Sequence, residues 1–135
     1  MMKREMVIWL MAFTNYTVWP TGVEMRTISS QTLDAFCGVG TLACYSWYTK
    51  TIFHSPHTQE EFIAHEIVHA LQHAAGRFGE TRLFSQLDKT TQNCLEYEAT
   101  RAAYAYARGH RLRASHDSVI WLRIYRDLCA RGTGE

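Results

Sequence analysis

The sequence predicts an α+β fold, and three observations predict it. The segment "TLACYSWYTKTIF" at 41–53 is rich in Thr, Tyr, Trp and Ile, which suit a pleated, half-buried surface. Further along, Ile63, Ile67, Ala70, Leu71 and Ala74 fall at i, i+4, i+7, i+8 and i+11, the spacing of one helix face. Leu95, Ala99, Ala102, Ala103 and Tyr106 repeat that series. Strand chemistry thus precedes a run of helices instead of alternating with them, the order of an α+β chain. A length of 135 residues suits one domain, 1–135, with a core that needs no disulfide staples. Apolar residues at 47% and aromatics at 13% are globular proportions.

The elements follow in order. "MMKREMVIWLMAF" pairs basic residues with an apolar run, as signal peptides do, but the run is short and no A-x-A-like site follows. It is well below the ~18 apolar residues of a membrane span. Residues 6–13 are therefore expected as a core strand or helix, with a membrane-associated start as the alternative, and Pro20 and Gly22 punctuate the end of the segment. "SSQTLDAFCG" reads as a short helix with Ser29 or Ser30 as cap and Gly38 as stop. Residues 41–53 read as strand, with a hairpin turn near Thr49–Lys50.

"HSPHTQ" leads into a helix over about 59–75. Thr58 is its expected N-cap, Glu60 and Glu61 suit the positive end of its dipole, and Gly76 stops it. Residues 77–92 are expected as a connection with a short helical turn. Two more helices follow at about 93–108 and 115–131, closed by Gly109 and Gly132.

Net charge is +1, so bulk charge makes no case for nucleic acid. Residues 101–135 hold seven Arg against Asp117, Asp127 and Glu135, which reads as a solvated basic helix face. The four cysteines form no C-x-x-C pair. They are expected as free buried thiols, with a Cys37–Cys44 bridge as the alternative and a cytoplasmic setting favoured. Trp47, Trp121 and the tyrosines are expected in the core.

The stretch "HEIVHALQH", 65–73, carries the chemistry. His65 and His69 stack one turn apart and lie roughly opposite the aliphatic stripe. Two imidazoles so placed can reach one metal ion, and His is a common nitrogen ligand of zinc. Glu66, one position round, could hold and deprotonate a zinc-bound water and then pass the proton to a leaving amine. Zinc needs a third protein ligand with a position left open. "CLEYEATRAA" offers Glu96 and Glu98, equally displaced to the two edges of the second stripe, and periodicity does not choose between them. One of the two could instead pair with Arg101. His73 is expected beside the ligands rather than among them. Tyr97, Tyr104, Arg101 and His110 are candidates to stabilise an oxyanion.

These residues resemble a family. A HExxH helix followed by a helix with E-x-x-A-[D] is similar to the gluzincins, zinc metallopeptidases whose third ligand is a downstream glutamate. "HEIVHALQ" with "EYEAT" looks closest to minimal zincin domains of bacteria and phages. It is also similar to prenyl-protein and HtpX-like membrane zinc peptidases. The resemblance spans about residues 58–107. It implies His65, His69 and Glu96 as zinc ligands, Glu66 as catalytic base, and a peptide or protein substrate. It also implies an edge strand just before the active-site helix that pairs with extended substrate. Where the family often carries an Asp that braces a ligand histidine, this chain has Thr100. Two other functions are weighed. One is a weakly active or inactive zincin fold used as a binding module in a virion or secretion machine, with a partner over the cleft. The other is a deformylase-type amide hydrolase with Cys44 or Cys94 as third ligand.

Overall fold

A computed structural model describes residues 3–79 and 84–133. The architecture is α+β: a small sheet in the N-terminal half, then helices. In order the elements are α1 (Arg4–Thr14), β1 (Glu24–Thr27), α2 (Ser30–Cys37), β2 (Ala43–Ser46), β3 (Thr51–His54), α3 (Glu60–Ala74), α4 (Lys89–Gly109) and α5 (His116–Gly132). A single 3-10 turn, Phe84–Gln86, lies in the connection before α4, and residues 80–83 of that connection lie outside the described residues.

The apolar N-terminal run is a helix. Met6, Val7 and Leu10, at i, i+1 and i+4, turn one side of α1 into the core, and Asn15 in the left-handed region ends it. α2 begins at its Ser29 cap, whose hydroxyl accepts from the Thr32 N–H at 3.1 Å, and stops at Gly38. The 41–53 segment forms the expected hairpin, β2 pairing antiparallel with β3, and Lys50 in its turn has φ +50.

One strand was not expected. β1, sequence EMRT, pairs parallel with β3 in register Glu24↔Thr51 to Thr27↔His54, and makes β3 the central strand in the order β1-β3-β2. It is mostly exposed and shows no apolar alternation, so it carries no strand signal of its own. The strand directly before α3 is therefore the central one, and the sheet edge nearest the site belongs to its hairpin partner β2.

α3 is buried on nearly every side. Ile63, Ile67, Ala70 and Leu71 face the core as the stripe predicts, while Ala74, at the end of that series, is exposed. Its N-cap is Gln59, not Thr58. The Thr58 hydroxyl accepts from the Ser55 N–H at 2.9 Å and donates to Leu42 O at 2.7 Å, so it closes the preceding loop instead. α4 starts four residues earlier than expected because Asp88 caps it, accepting from the Thr91 N–H at 2.9 Å. Ala99, Ala102 and Ala103 are buried against α3, and their small size lets the two helices approach closely.

α5 packs on α4 and buries only Ser118. It is fastened at both ends. At its start, Glu61 of α3 is buried, and its Oε1 accepts from the Ser115 N–H at 3.0 Å and the Ser118 hydroxyl at 2.9 Å. Near its end a disulfide joins Cys129 to Cys94 of α4, and Gly132 passes so close to Thr90 that no Cβ would fit. A second disulfide joins Cys37 to Cys44. The expectation of free thiols is thus overturned: 94 and 129 are far apart in sequence, and only the α4–α5 pairing brings their Cα atoms to 4.7 Å. Trp121 is likewise not in the core but half exposed, because α5 has protein on one side only. Tyr48 is exposed at the hairpin turn. No helix among the described residues is long and apolar enough to cross a membrane.

The two disulfides close loops of different length, with separations of 35 residues for Cys94–Cys129 and 7 for Cys37–Cys44. Loop-closure entropy then makes the first worth about 4 kcal/mol and the second about 2 kcal/mol. Paired alanine variants compared by urea unfolding are expected to fall in that order, and equal losses would contradict it.

Candidate metal centre

His65, Glu66 and His69 are carried by the middle of α3, and Glu96 by the facing turn of α4. The helix pairing brings three donor atoms together. His69 Nε2 lies 2.5 Å from Glu96 Oε1, His65 Nε2 lies 3.2 Å from the same oxygen, and the two Nε2 atoms are 3.1 Å apart. Among the described residues His65, His69 and Glu96 form a group able to hold a metal ion, with ligand atoms within 4.8 Å of one another.

The donor set fits a small ion. Ligands at ~2.0–2.1 Å in a tetrahedral shell stand about 3.3 Å apart, close to the two wider separations seen here. Two imidazole nitrogens and one carboxylate oxygen also leave a fourth position for water or substrate, as catalytic zinc sites do. The cysteines proposed for a deformylase-type shell are not available, since Cys44 and Cys94 are both in disulfides.

The orientation of His69 is fixed from behind. Its Nδ1–H donates to Gln72 Oε1 at 2.8 Å, which leaves Nε2 as the free donor atom for an ion. Gln72 is fully buried, and its amide orientation is set in turn: Nε2 donates to Leu95 O at 2.9 Å and to Glu98 Oε1 at 3.0 Å. Glu98 also accepts from the Tyr16 hydroxyl and pairs with Arg77 at 3.5 Å. Arg77 is brought there by the turn at Gly76, where φ is +77 and the Arg77 N–H bonds Gln72 O at 2.9 Å. The two glutamates that periodicity could not separate thus part company: Glu96 meets the histidines, and Glu98 holds the residue that steadies one of them. Glu98 does not pair with Arg101, which lies over the Phe13 ring.

The electrostatics follow from this geometry. Burial disfavours a charge on His69, but the Glu96 charge and hydrogen bonds to Glu96 and Gln72 outweigh it and raise its pKa to about 9. Burial opposes ionisation of Glu96 too, yet the nearby histidines hold it well below the usual carboxylate range. Glu66 behaves differently. It is half-buried where it lines the cleft, and desolvation pushes its pKa up against the histidine charges and a hydrogen bond from the Tyr45 backbone N–H. That amide belongs to β2, so the edge strand touches Glu66 directly.

The trio opens into a cleft of about 690 Å3. β2 forms one wall with Ala43 and Tyr45, and α5 forms another with Asp117, Trp121 and Tyr125. Trp47 and Thr100 also line it. His73 stays outside the trio. Its Nδ1 meets the Tyr45 hydroxyl at 2.9 Å, its ring stacks on Phe78, and burial followed by the Lys50 charge lowers its pKa. Tyr97, Tyr104, Arg101 and His110 do not line the cleft: Tyr104 sits by Arg108, and His110 stacks on Tyr106. The residues missed are Gln72 and Tyr125. Gln72 stands three after His69, a helical neighbour spacing that signals contact. Tyr125 has no local signal, since only tertiary packing turns its face of α5 toward the cleft.

Two outcomes follow. Replacing Gln72 by Met, of similar volume, removes the acceptor behind His69 and is expected to weaken zinc binding about 10–100-fold, measured by chelator competition. Unchanged affinity would show that Gln72 does not position the ligand. Second, a metal must displace the proton that His69 carries below about pH 9. Zinc affinity should therefore rise by about tenfold per pH unit from pH 7 to 9 and level off above. A profile flat from pH 7 would contradict the His69–Glu96 ion pair.

Comparisons with protein-family models, with curated proteins and with solved structures return no match, so the chemistry of this centre is read from its own residues.

Proposed function

We propose that the chain is a zinc-dependent peptidase, with His65, His69 and Glu96 as the metal ligands and Glu66 as general base, in line with its resemblance to gluzincins. One observation carries the reading: the three donors converge in an open cleft, and a further carboxyl that lines it beside them, Glu66, is half-buried and raised in pKa. Bound zinc supplies a Lewis acid that acidifies water and polarises a carbonyl.

The residues of the chain do the rest. Glu66 takes a proton from the attacking water and returns it to the leaving amine. The upward shift of its pKa favours both halves of that task, because a stronger base accepts the proton and a group nearer neutrality can give it back. Tyr125 lines the cleft near enough to feel the Glu96 charge. Burial first and that charge second raise its pKa, which keeps the hydroxyl neutral and able to donate to a developing oxyanion. The outer side of β2 is paired with no strand among the described residues, and an extended peptide there would gain main-chain hydrogen bonds. The two disulfides favour an oxidising compartment over the cytoplasm expected from sequence.

Glu66→Gln preserves shape and removes the base. It is expected to keep zinc and to lose about 10²–10⁴-fold in the rate of peptide cleavage. Cleavage at the unmodified rate would remove Glu66 from the role. Zinc retained by the unmodified chain with no turnover across a peptide library would favour the binding-module function instead.

A further inference from the structure

Two residues of the α5 wall, Asp117 and Trp121, hold chemistry that the reaction does not use. Asp117, Trp121 and Tyr125 stand four residues apart, so they stack along one face of the helix, and all three line the cleft. Tyr125 is the inner member, half-buried and within reach of the Glu96 charge. Trp121 stacks on it at 5.5 Å and 28°, and is 50% exposed. Asp117 is the outer member. Only its backbone N–H is engaged, by the Ser115 hydroxyl at 3.3 Å, and its exposed carboxylate has no partner among the described residues. No Lys or Arg lines the cleft among the described residues, although this half of the chain is rich in arginine.

We propose that Asp117 and Trp121 form a subsite for a lysine or arginine side chain of the bound peptide, and so select substrates with a basic residue near the scissile bond. This rests on the peptidase reading. The chemistry suits a long cationic side chain in each part. An aliphatic stem packs on the exposed indole, and its charged head meets the indole face and the carboxylate one turn away. A neutral aliphatic residue gains only the packing. An acidic residue meets Asp117 and, beyond it, Glu96 and Glu66, with no Lys or Arg among the described lining residues to offset them. The wall is also held still, because Glu61 caps α5 at Ser115 and Ser118 and the Cys94–Cys129 disulfide ties its other end.

The test separates binding from turnover. The zinc-loaded full chain carrying Glu66→Gln is titrated by calorimetry with capped hexapeptides of Ala and Phe. One position at a time is made Lys, Arg, norleucine or Glu. At one position Lys and Arg should bind about tenfold tighter than norleucine, and Glu weaker than either. Asp117→Asn should remove the preference, and Asp117→Lys should invert it toward Glu. Trp121→Phe should keep part of it and Trp121→Ala lose it, with circular dichroism unchanged in all four. No position preferring a basic residue, or a preference undiminished in Asp117→Asn, would overturn the subsite. A basic preference alongside no cleavage by the unmodified chain would uphold the subsite and overturn the peptidase reading. Cleavage without that preference would do the reverse.

Discussion

Three alanines of α4, Ala99, Ala102 and Ala103, let α3 lie close against it, and the site depends on that closeness. Glu96 reaches His65 and His69 only because the turn of α4 that bears it is brought within 3.2 Å of both imidazoles. Bulkier residues at the seam would part the helices and take the carboxylate out of range before any ligand was changed. The same pairing places Gln72 against Leu95 and Glu98, so one packing contact both assembles the donor trio and orients it.

Within that frame the charges are arranged so that burial is tolerable. A carboxylate and an imidazolium taken from water singly would each be disfavoured, and together each stabilises the other's charged form. Glu96 and His69 are therefore ionised as a pair, while Glu66, next to them but opposed by desolvation, is left closer to neutrality. Both carboxylates feel the charges of the same two histidines. Here their surroundings push them apart, Glu96 held below the usual carboxylate range and Glu66 raised above it, which is the difference the proposed ligand and base roles use.

Much of this was legible in the sequence, and the parts that were not share a cause. The helix stripes of α3 and α4, the α2 caps and the β2–β3 hairpin are local patterns, written in spacing and turn residues, and they lie where those patterns put them. His65, Glu66 and His69 belong to the same class, since one helix sets their mutual placement. The choice between Glu96 and Glu98 did not, because it depends on which edge of α4 faces α3. Strand β1 is too short and polar to signal itself and exists only through β3. The Cys94–Cys129 bond, the half-exposed Trp121 and the cleft position of Tyr125 all follow from α5 lying on the surface of α4, a tertiary fact with no local mark. The bracing expected of an acidic residue at the Thr100 position comes from Gln72, on the same helix as the histidine it holds.

The central claim is that His65, His69 and Glu96 form the shell of a zinc ion. X-ray absorption at the zinc edge of the loaded protein, taken with and without Glu96→Gln, tests it most directly. The expected spectrum has only nitrogen and oxygen neighbours at ~2.0–2.2 Å, two of them imidazoles, and changes when Glu96 is replaced. A sulfur neighbour at ~2.3 Å, or a shell unaltered by loss of the Glu96 carboxylate, would contradict it.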